Sequence, residues 1–184
     1  MFPSHDPTAG GTLFGTQTAA LFAGGDISPY TANAYEYDGS SWTSGGSLNT
    51  ARGYSSGTGI QTAGLIIGGV QPGKAQTEEY DGSSFTEVAD LNTARGGTGS
   101  SMNGPSGSTL VYGGNPGVGT GATEGWDGTS WTEVADLSTS RYDLAGSGDS
   151  ANSALAFGGG TPSVTNATEE WTAADFQIKT VTTS

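Results

Sequence analysis

A chain of 184 residues with 33 glycines, no cysteine and a net charge of −13 excludes several classes at once. Its 18 acidic against 5 basic residues repel phosphate backbones and anionic lipid, which argues against nucleic-acid or membrane-surface binding. Without cysteine there is neither a disulfide framework nor thiolate chemistry, and no stretch approaches the length of a transmembrane span. Gly, Ser and Thr abound, yet Trp, Tyr and Phe recur at regular intervals, which a disordered linker does not need.

The N-terminal lead, Met1 to Pro7, has no basic region and no apolar core of signal-peptide length. A virion component released by lysis and a plain cytosolic protein both fit that reading. His5 is the only histidine and reads as an incidental surface residue, leaving no His-based triad and no multi-histidine metal site.

The first apolar run, Ala20-Leu21-Phe22-Ala23, has apolar side chains on both faces and predicts a central strand covered on both sides. Gly24-Gly25 ends it where a side chain would obstruct the backbone. After a connection containing Pro29 come Tyr37 and, five residues on, Trp42, bracketing Asp38-Gly39-Ser40-Ser41. Asp-Gly supplies the positive φ of a tight hairpin, so the aromatic pair predicts two antiparallel strands around a turn. Leu48-Asn49-Thr50-Ala51-Arg52 and a Gly/Ser-rich stretch follow, and small residues there suit an innermost strand crowded around an axis.

This order of elements repeats. The doublets Gly24-Gly25, Gly68-Gly69, Gly113-Gly114 and Gly158-Gly159 are 44, 45 and 45 residues apart. The aromatic pairs recur as Tyr80/Phe85, Trp126/Trp131 and Trp171/Phe176, and the Leu-to-Arg segment as 91–95 and 137–141. The strand after the turn alternates, as in Trp131-Thr132-Glu133-Val134, and predicts an outer strand with one wet face. A period of this length marks a repeat array, and each unit reads as a four-stranded antiparallel sheet, the blade of a β-propeller. The predicted fold is all-β, a single domain over 1–184 with four blades at about 8–46, 52–89, 95–135 and 141–180.

An apolar strand, Gly-Gly, Glu-x-aromatic, a short turn, Trp, then Leu and Arg, together resemble the kelch repeat over about residues 8–184. The resemblance implies radially packed blades with Trp42, Phe85, Trp131 and Phe176 wedged between neighbours. The chain departs from the pattern in two places. The fourth unit has Thr172-Ala173-Ala174-Asp175 in place of Asp-Gly, and the first outer strand runs into Ser44-Gly45-Gly46. Because Thr8 aligns with Arg52 and the chain stops after an outermost strand, no strand need be borrowed across the termini. Either four blades close into a small ring, or the array completes itself with another chain.

Arg52, Arg95 and Arg141 share one motif position, and Glu78, Glu124 and Glu169 lie two residues before the first aromatic of the same units. An intra-blade Arg–Glu pair, charge-assisted and with the option of a bidentate fork, is expected, ahead of an anion-binding arginine cluster. The first unit has Thr8 and Tyr35 instead. The connections after each doublet vary most and carry Pro29, Pro72, Pro116 and Pro162; variable loops on one face of a repeat protein are the usual place for binding. Tyr30, Tyr54 and Tyr142 are the binding candidates there, as rings for sugar stacking, against the plainer reading as ordinary loop aromatics.

Residues 117–122, Gly-Val-Gly-Thr-Gly-Ala, fit a dinucleotide fingerprint, but a strand rather than a helix is expected next, so the match is rejected. Asn166-Ala167-Thr168 is a glycosylation acceptor only along a glycosylating route. Asp38, Asp81 and Asp127 are accounted for by their turns. Some kelch-like propellers house a copper radical oxidase, but its Cys and His ligands are lacking. No catalytic residue, cofactor or metal ligand is assigned, and the expectation is a non-enzymatic structural or interaction protein, self-assembly included.

The units and the ending Ile-Lys-Thr-Val-Thr-Thr-Ser also resemble kelch-type proteins of marine bacteriophages, which implies a virion, tail- or fibre-associated, or extracellular surface component. The expected partners are other protein subunits or surface glycans, with no nucleic acid and no membrane insertion. A carbohydrate-binding, lectin-like propeller is the alternative, and a propeller enzyme a more distant one.

Overall fold

A computed structural model describes residues 10–26, 29–70, 74–115, 118–172 and 177–181. His5, Thr8, Pro72, Pro116 and Phe176 lie outside them. The described residues are all-β, with no helix: four four-stranded antiparallel sheets arranged as a four-blade β-propeller.

The first blade is β1 (Thr12–Thr16), β2 (Ala19–Ala23), β3 (Ala34–Tyr37) and β4 (Trp42–Ser44). The second is β5 (Ser56–Ile60), β6 (Ala63–Gly69), β7 (Lys74–Tyr80) and β8 (Phe85–Glu87). The third is β9 (Gly99–Ser100), β10 (Thr109–Tyr112), β11 (Thr123–Trp126) and β12 (Trp131–Val134). The fourth is β13 (Ala145–Ser150), β14 (Ser153–Phe157), β15 (Thr168–Thr172) and β16 (Gln177–Val181). In each sheet the strands lie in chain order, so every connection within a blade is a hairpin or a short loop. The first strands stand side by side, β1 against β5, β5 against β9 and β9 against β13, which puts the Gly/Ser-rich segments innermost.

Alternation along the second strand of each blade sorts its side chains onto two faces. Leu21 and Ala23 of the first blade meet Ile66, Tyr80 and Phe85 of the second. Leu65 and Ile67 of the second meet Val111, Trp126 and Trp131 of the third. Leu110 and Tyr112 of the third meet Ala154, Ala156 and Trp171 of the fourth. The core is therefore three blade-to-blade layers, each made by the same face of one blade and the opposite face of the next.

This packing amends the expectation of central strands covered on both sides. It holds for β6, whose Gly64–Gly69 are all buried, and for β10, which is buried throughout. In β2 Phe22 is only half-buried, and in β14 Leu155 and Phe157 are exposed. Phe85 and Trp131 are wedged between blades, with Trp131 Nε1 donating to Thr77 Oγ1 at 3.1 Å. Trp42 is half-buried on the outward face of the first blade and not wedged.

The outer strand β12 is wetter than alternation predicts: Thr132 and Glu133 are both exposed, as at a rim. In the fourth blade the hairpin closes one residue late. Thr172 pairs with Gln177 and Trp171 with Ile178, whereas elsewhere the two aromatics pair directly, as Tyr37 with Trp42. The unit that closes late is the one without Asp-Gly.

The Asp-Gly turns have a defined construction. Gly39, Gly82 and Gly128 hold φ of 93°, 94° and 93°. The preceding aspartate does not share that conformation; its Oδ1 accepts the two following backbone N–H groups, from Ser40 and Ser41 to Asp38 at 2.8 Å each. These bonds hold the Asp38 and Asp127 carboxyls below the usual range, and that of Asp81 down to about 2.

Candidate functional site

Two sets of residues compete for a functional role, and burial separates them. Arg52, Arg95 and Arg141 are fully buried, as are Glu78 and Glu124, with Glu169 nearly so. Arg95 Nη1 meets Glu124 Oε1 at 2.7 Å, Arg141 Nη2 meets Glu169 Oε1 at 2.6 Å, and Arg52 pairs with Glu78 in the same way. The expected intra-blade pair is present in all three blades, but not as a bidentate fork. Each arginine gives one nitrogen to the carboxylate. In two blades the other nitrogen reaches backbone carbonyls instead: Gln76 at 2.7 Å from Arg52, and Gly158 and Ala167 at 2.9 Å from Arg141.

The second carboxylate oxygen is held by the Leu-to-Arg segment. Asn49 offers Glu78 Oε2 both its backbone N–H at 2.7 Å and its side-chain amide at 2.9 Å; Asn92 does the same for Glu124 at 2.8 Å each. Ser138, which replaces asparagine in the last unit, gives Glu169 its backbone N–H at 2.8 Å. Burial pushes the Arg52 and Arg95 guanidiniums down from their ordinary value while the facing Glu78 and Glu124 oppose it. With no access to solvent and a carboxylate at each, these arginines are staples rather than an anion-binding cluster.

The loop face is different. The loop after Gly113-Gly114, the end of the Leu-to-Arg segment before β13 and the loop after Gly158-Gly159 enclose a groove of about 530 Å³. Its lining combines Asn115, Thr139, Ser140, Thr161 and Pro162 around the half-buried ring of Tyr142. A smaller concavity of about 250 Å³ lies on the other side of Tyr142 and Pro162, bounded by Asp143, Val164 and Thr165. Val118 and Val164, 78% and 94% exposed, stand at the two rims. The Tyr142 ring is fixed from below by backbone: a Cβ on Gly119 or Gly160 would come within 3.1 Å of it. Hydroxyls and an amide around a fixed aromatic plane can hydrogen-bond and stack a polar ligand, and the valines can seat an apolar side chain.

Of the three tyrosines expected there, Tyr142 lies in this groove and the other two lie together elsewhere. Tyr30 rests on Gly53, where a Cβ would stand 2.7 Å from its ring, and Tyr54 lies over Gly10. Partial burial, with Asp26 and Tyr54 nearby, pushes the Tyr30 hydroxyl up. Tyr54 has an independent structural task. Its φ of 54° matches the left-handed backbone of Gly10, Gly97 and Asp143, at 78°, 62° and 52°. These four form a relay across the blades: Tyr54 N–H donates to the Gly10 carbonyl, Gly97 N–H to that of Tyr54 and Asp143 N–H to that of Gly97, the last two at 2.8 Å.

Asn115, Val118, Thr139, Ser140, Thr161 and Val164 are site residues that sequence reasoning did not single out. The one signal available was an apolar residue, Val118 or Val164, inside an otherwise polar, non-repeating loop. The dinucleotide fingerprint is answered by β11, a strand, following at Thr123. Among the described residues no group of three or more His, Cys, Asp or Glu side chains stands where it could hold a metal. Comparison with protein-family models and with curated proteins yields no match.

Proposed function

We propose that this chain is a non-enzymatic interaction protein, a kelch-like propeller that presents its loop face as a virion or extracellular surface component. The supporting observation is the Tyr142 groove: a preformed concavity on the variable face, with Val118 exposed at its rim and Val164 at that of the adjoining concavity. Exposed apolar residues beside a ring and hydrogen-bonding groups are the composition of a protein-binding hot spot with a polar surround. The kelch-like order of elements and the likeness to phage-borne kelch-type proteins support the placement on a particle. Mass spectrometry of purified, washed particles tests it: recovery at fixed stoichiometry to known subunits is expected, and presence only in the soluble fraction overturns it.

A glycan ligand is the second reading, favoured by Tyr142 lying among Asn115, Thr139, Ser140 and Thr161. Saturable binding on a glycan array that is lost in Tyr142→Ala supports it, and an array with no saturable signal removes it.

A further inference from the structure

The three blade-to-blade layers use one face of the earlier blade and the opposite face of the later one, which leaves one unused face at each end of the series. On the fourth blade this face carries Leu155 and Phe157, each 39% exposed, although their counterparts Leu110 and Tyr112 are 1% and 2% exposed. On the first blade it carries Leu13, 49% exposed, beside the half-buried Phe22 and Tyr35. We infer that the Leu155–Phe157 face seats on the Leu13–Phe22 face of a second copy, head to tail, so that two chains close into one ring of eight blades.

Independent features show that these faces are two halves of the junction already built three times in the chain. The backbone relay stops short: among the described residues the fourth link, from Gly10 N–H to the Asp143 carbonyl, is not made. The first glycine of each doublet gives the same result. A Cβ on Gly24, Gly68 or Gly113 would meet the carbonyl of Arg52, Arg95 or Arg141 in the next blade at 2.5, 2.4 and 2.7 Å. At Gly158, among the described residues, it would meet only the Thr165 carbonyl, at 3.8 Å. Among the described residues, nothing of a following blade lies over Gly158 as Arg52, Arg95 and Arg141 lie over its counterparts. Nor do β13 and β1 pack on each other as the three neighbouring pairs of innermost strands do.

Side-chain sizes match as well. At the first junction the bulk of Phe14 covers Gly57 and Gly64, and at the third Tyr112 covers Gly146. Position by position, Ser147 stands in the fourth blade where Phe14 stands in the first, and Leu13 stands where the second has Gly57. The Phe14–Gly57 contact of the first junction therefore becomes Ser147 against Leu13, small against large, with Phe157 in the place of Tyr112. A head-to-tail contact closes only if its rotation closes, and eight blades is within the usual range for propellers. This deepens the self-assembly part of the reading above and does not depend on the loop face.

Sedimentation velocity on the full chain tests the inference, at about 10 μM. Twice the 18.3 kDa chain mass is expected. Phe157→Asp and Leu13→Asp should each raise the dissociation constant at least a hundredfold. An equimolar mixture of the two variants should regain a one-to-one pair, because one of its two junctions has both faces intact. A single-chain mass for the wild type, open-ended filaments, or a pair indifferent to both substitutions each overturns it. Circular dichroism checks folding, and Phe157→Ser serves if the aspartate variant is unfolded. Loss of glycan or particle binding in Tyr142→Ala with the doubled mass retained bears on the loop face alone.

Discussion

Arg95 and Glu124 are buried at 0% and 1% exposure, so each charge depends on the other, with Asn92 holding the second carboxylate oxygen. Breaking such a pair from one side leaves an uncompensated charge, and Arg95→Ala is expected to cost about 3–5 kcal/mol. A double-mutant cycle with Glu124→Gln should give a coupling of more than about 1 kcal/mol in urea melts. Additive single effects would show that the pair is incidental. At the surface, Asp81 gives a pH signature. Its folded carboxyl titrates near 2, below the ordinary value of 3.8, because Ser83 and Ser84 donate to the ionised form. The sign follows: its contribution is complete above the ordinary value and is lost as pH falls from there through about 2. Carboxyl titration by NMR should place the Asp81 midpoint well below the ordinary 3.8. A midpoint at the ordinary value would mean the turn is open in solution.

The element that carries the architecture is the Gly-Gly strand end, and its purpose lies in the neighbouring blade. Gly25, Gly69 and Gly114 donate their N–H groups to the carbonyls of Arg52, Arg95 and Arg141, at 2.9, 2.9 and 2.8 Å. The arginine segment is therefore a joint, with its carbonyl serving the blade before and its side chain the blade after. Gly68→Ala meets both a left-handed φ of 63° and the Arg95 carbonyl at 2.4 Å, whereas among the described residues Gly158→Ala meets a φ of 69° and no atom nearer than 3.8 Å. In a Phe157→Asp background, which keeps the fourth blade's face open, Gly158→Ala should cost about 1–2 kcal/mol. Gly68→Ala should cost clearly more, read as the shift in urea midpoint. Equal losses would argue that the doublets serve only the turn within their own blade.

For the whole molecule, stability in a repeat array is the sum of the units and their nearest-neighbour layers. Among the described residues the chain has three such layers by itself, and the proposed fourth contact forms between copies. If two chains close a ring, the melting temperature depends on concentration, because association is linked to folding. A tenfold dilution should lower Tm for the wild type and leave Phe157→Asp unchanged, checked by scanning calorimetry. Identical shifts in both proteins would separate any concentration effect from this face.

Most of the blade construction was legible in the sequence because each recurrent residue does a local or next-blade task that repeats. Glycine doublets, aromatic pairs around Asp-Gly, and the Arg and Glu positions could all be placed by spacing alone. The Tyr142 groove was only partly legible, since its lining comes from two loops that do not repeat and the end of one Leu-to-Arg segment, which meet only when the third and fourth blades pack. Tyr54 was legible as an aromatic in a loop, but its left-handed backbone follows from a hydrogen bond to Gly10 in the first blade. The sequence by itself determined the blade, its period and its strand order, because hairpin turns and strand alternation act over a few residues. Only the tertiary structure decided which faces of those blades are covered. Leu155 is an apolar strand residue like Leu110, and the two differ in whether another blade lies against them.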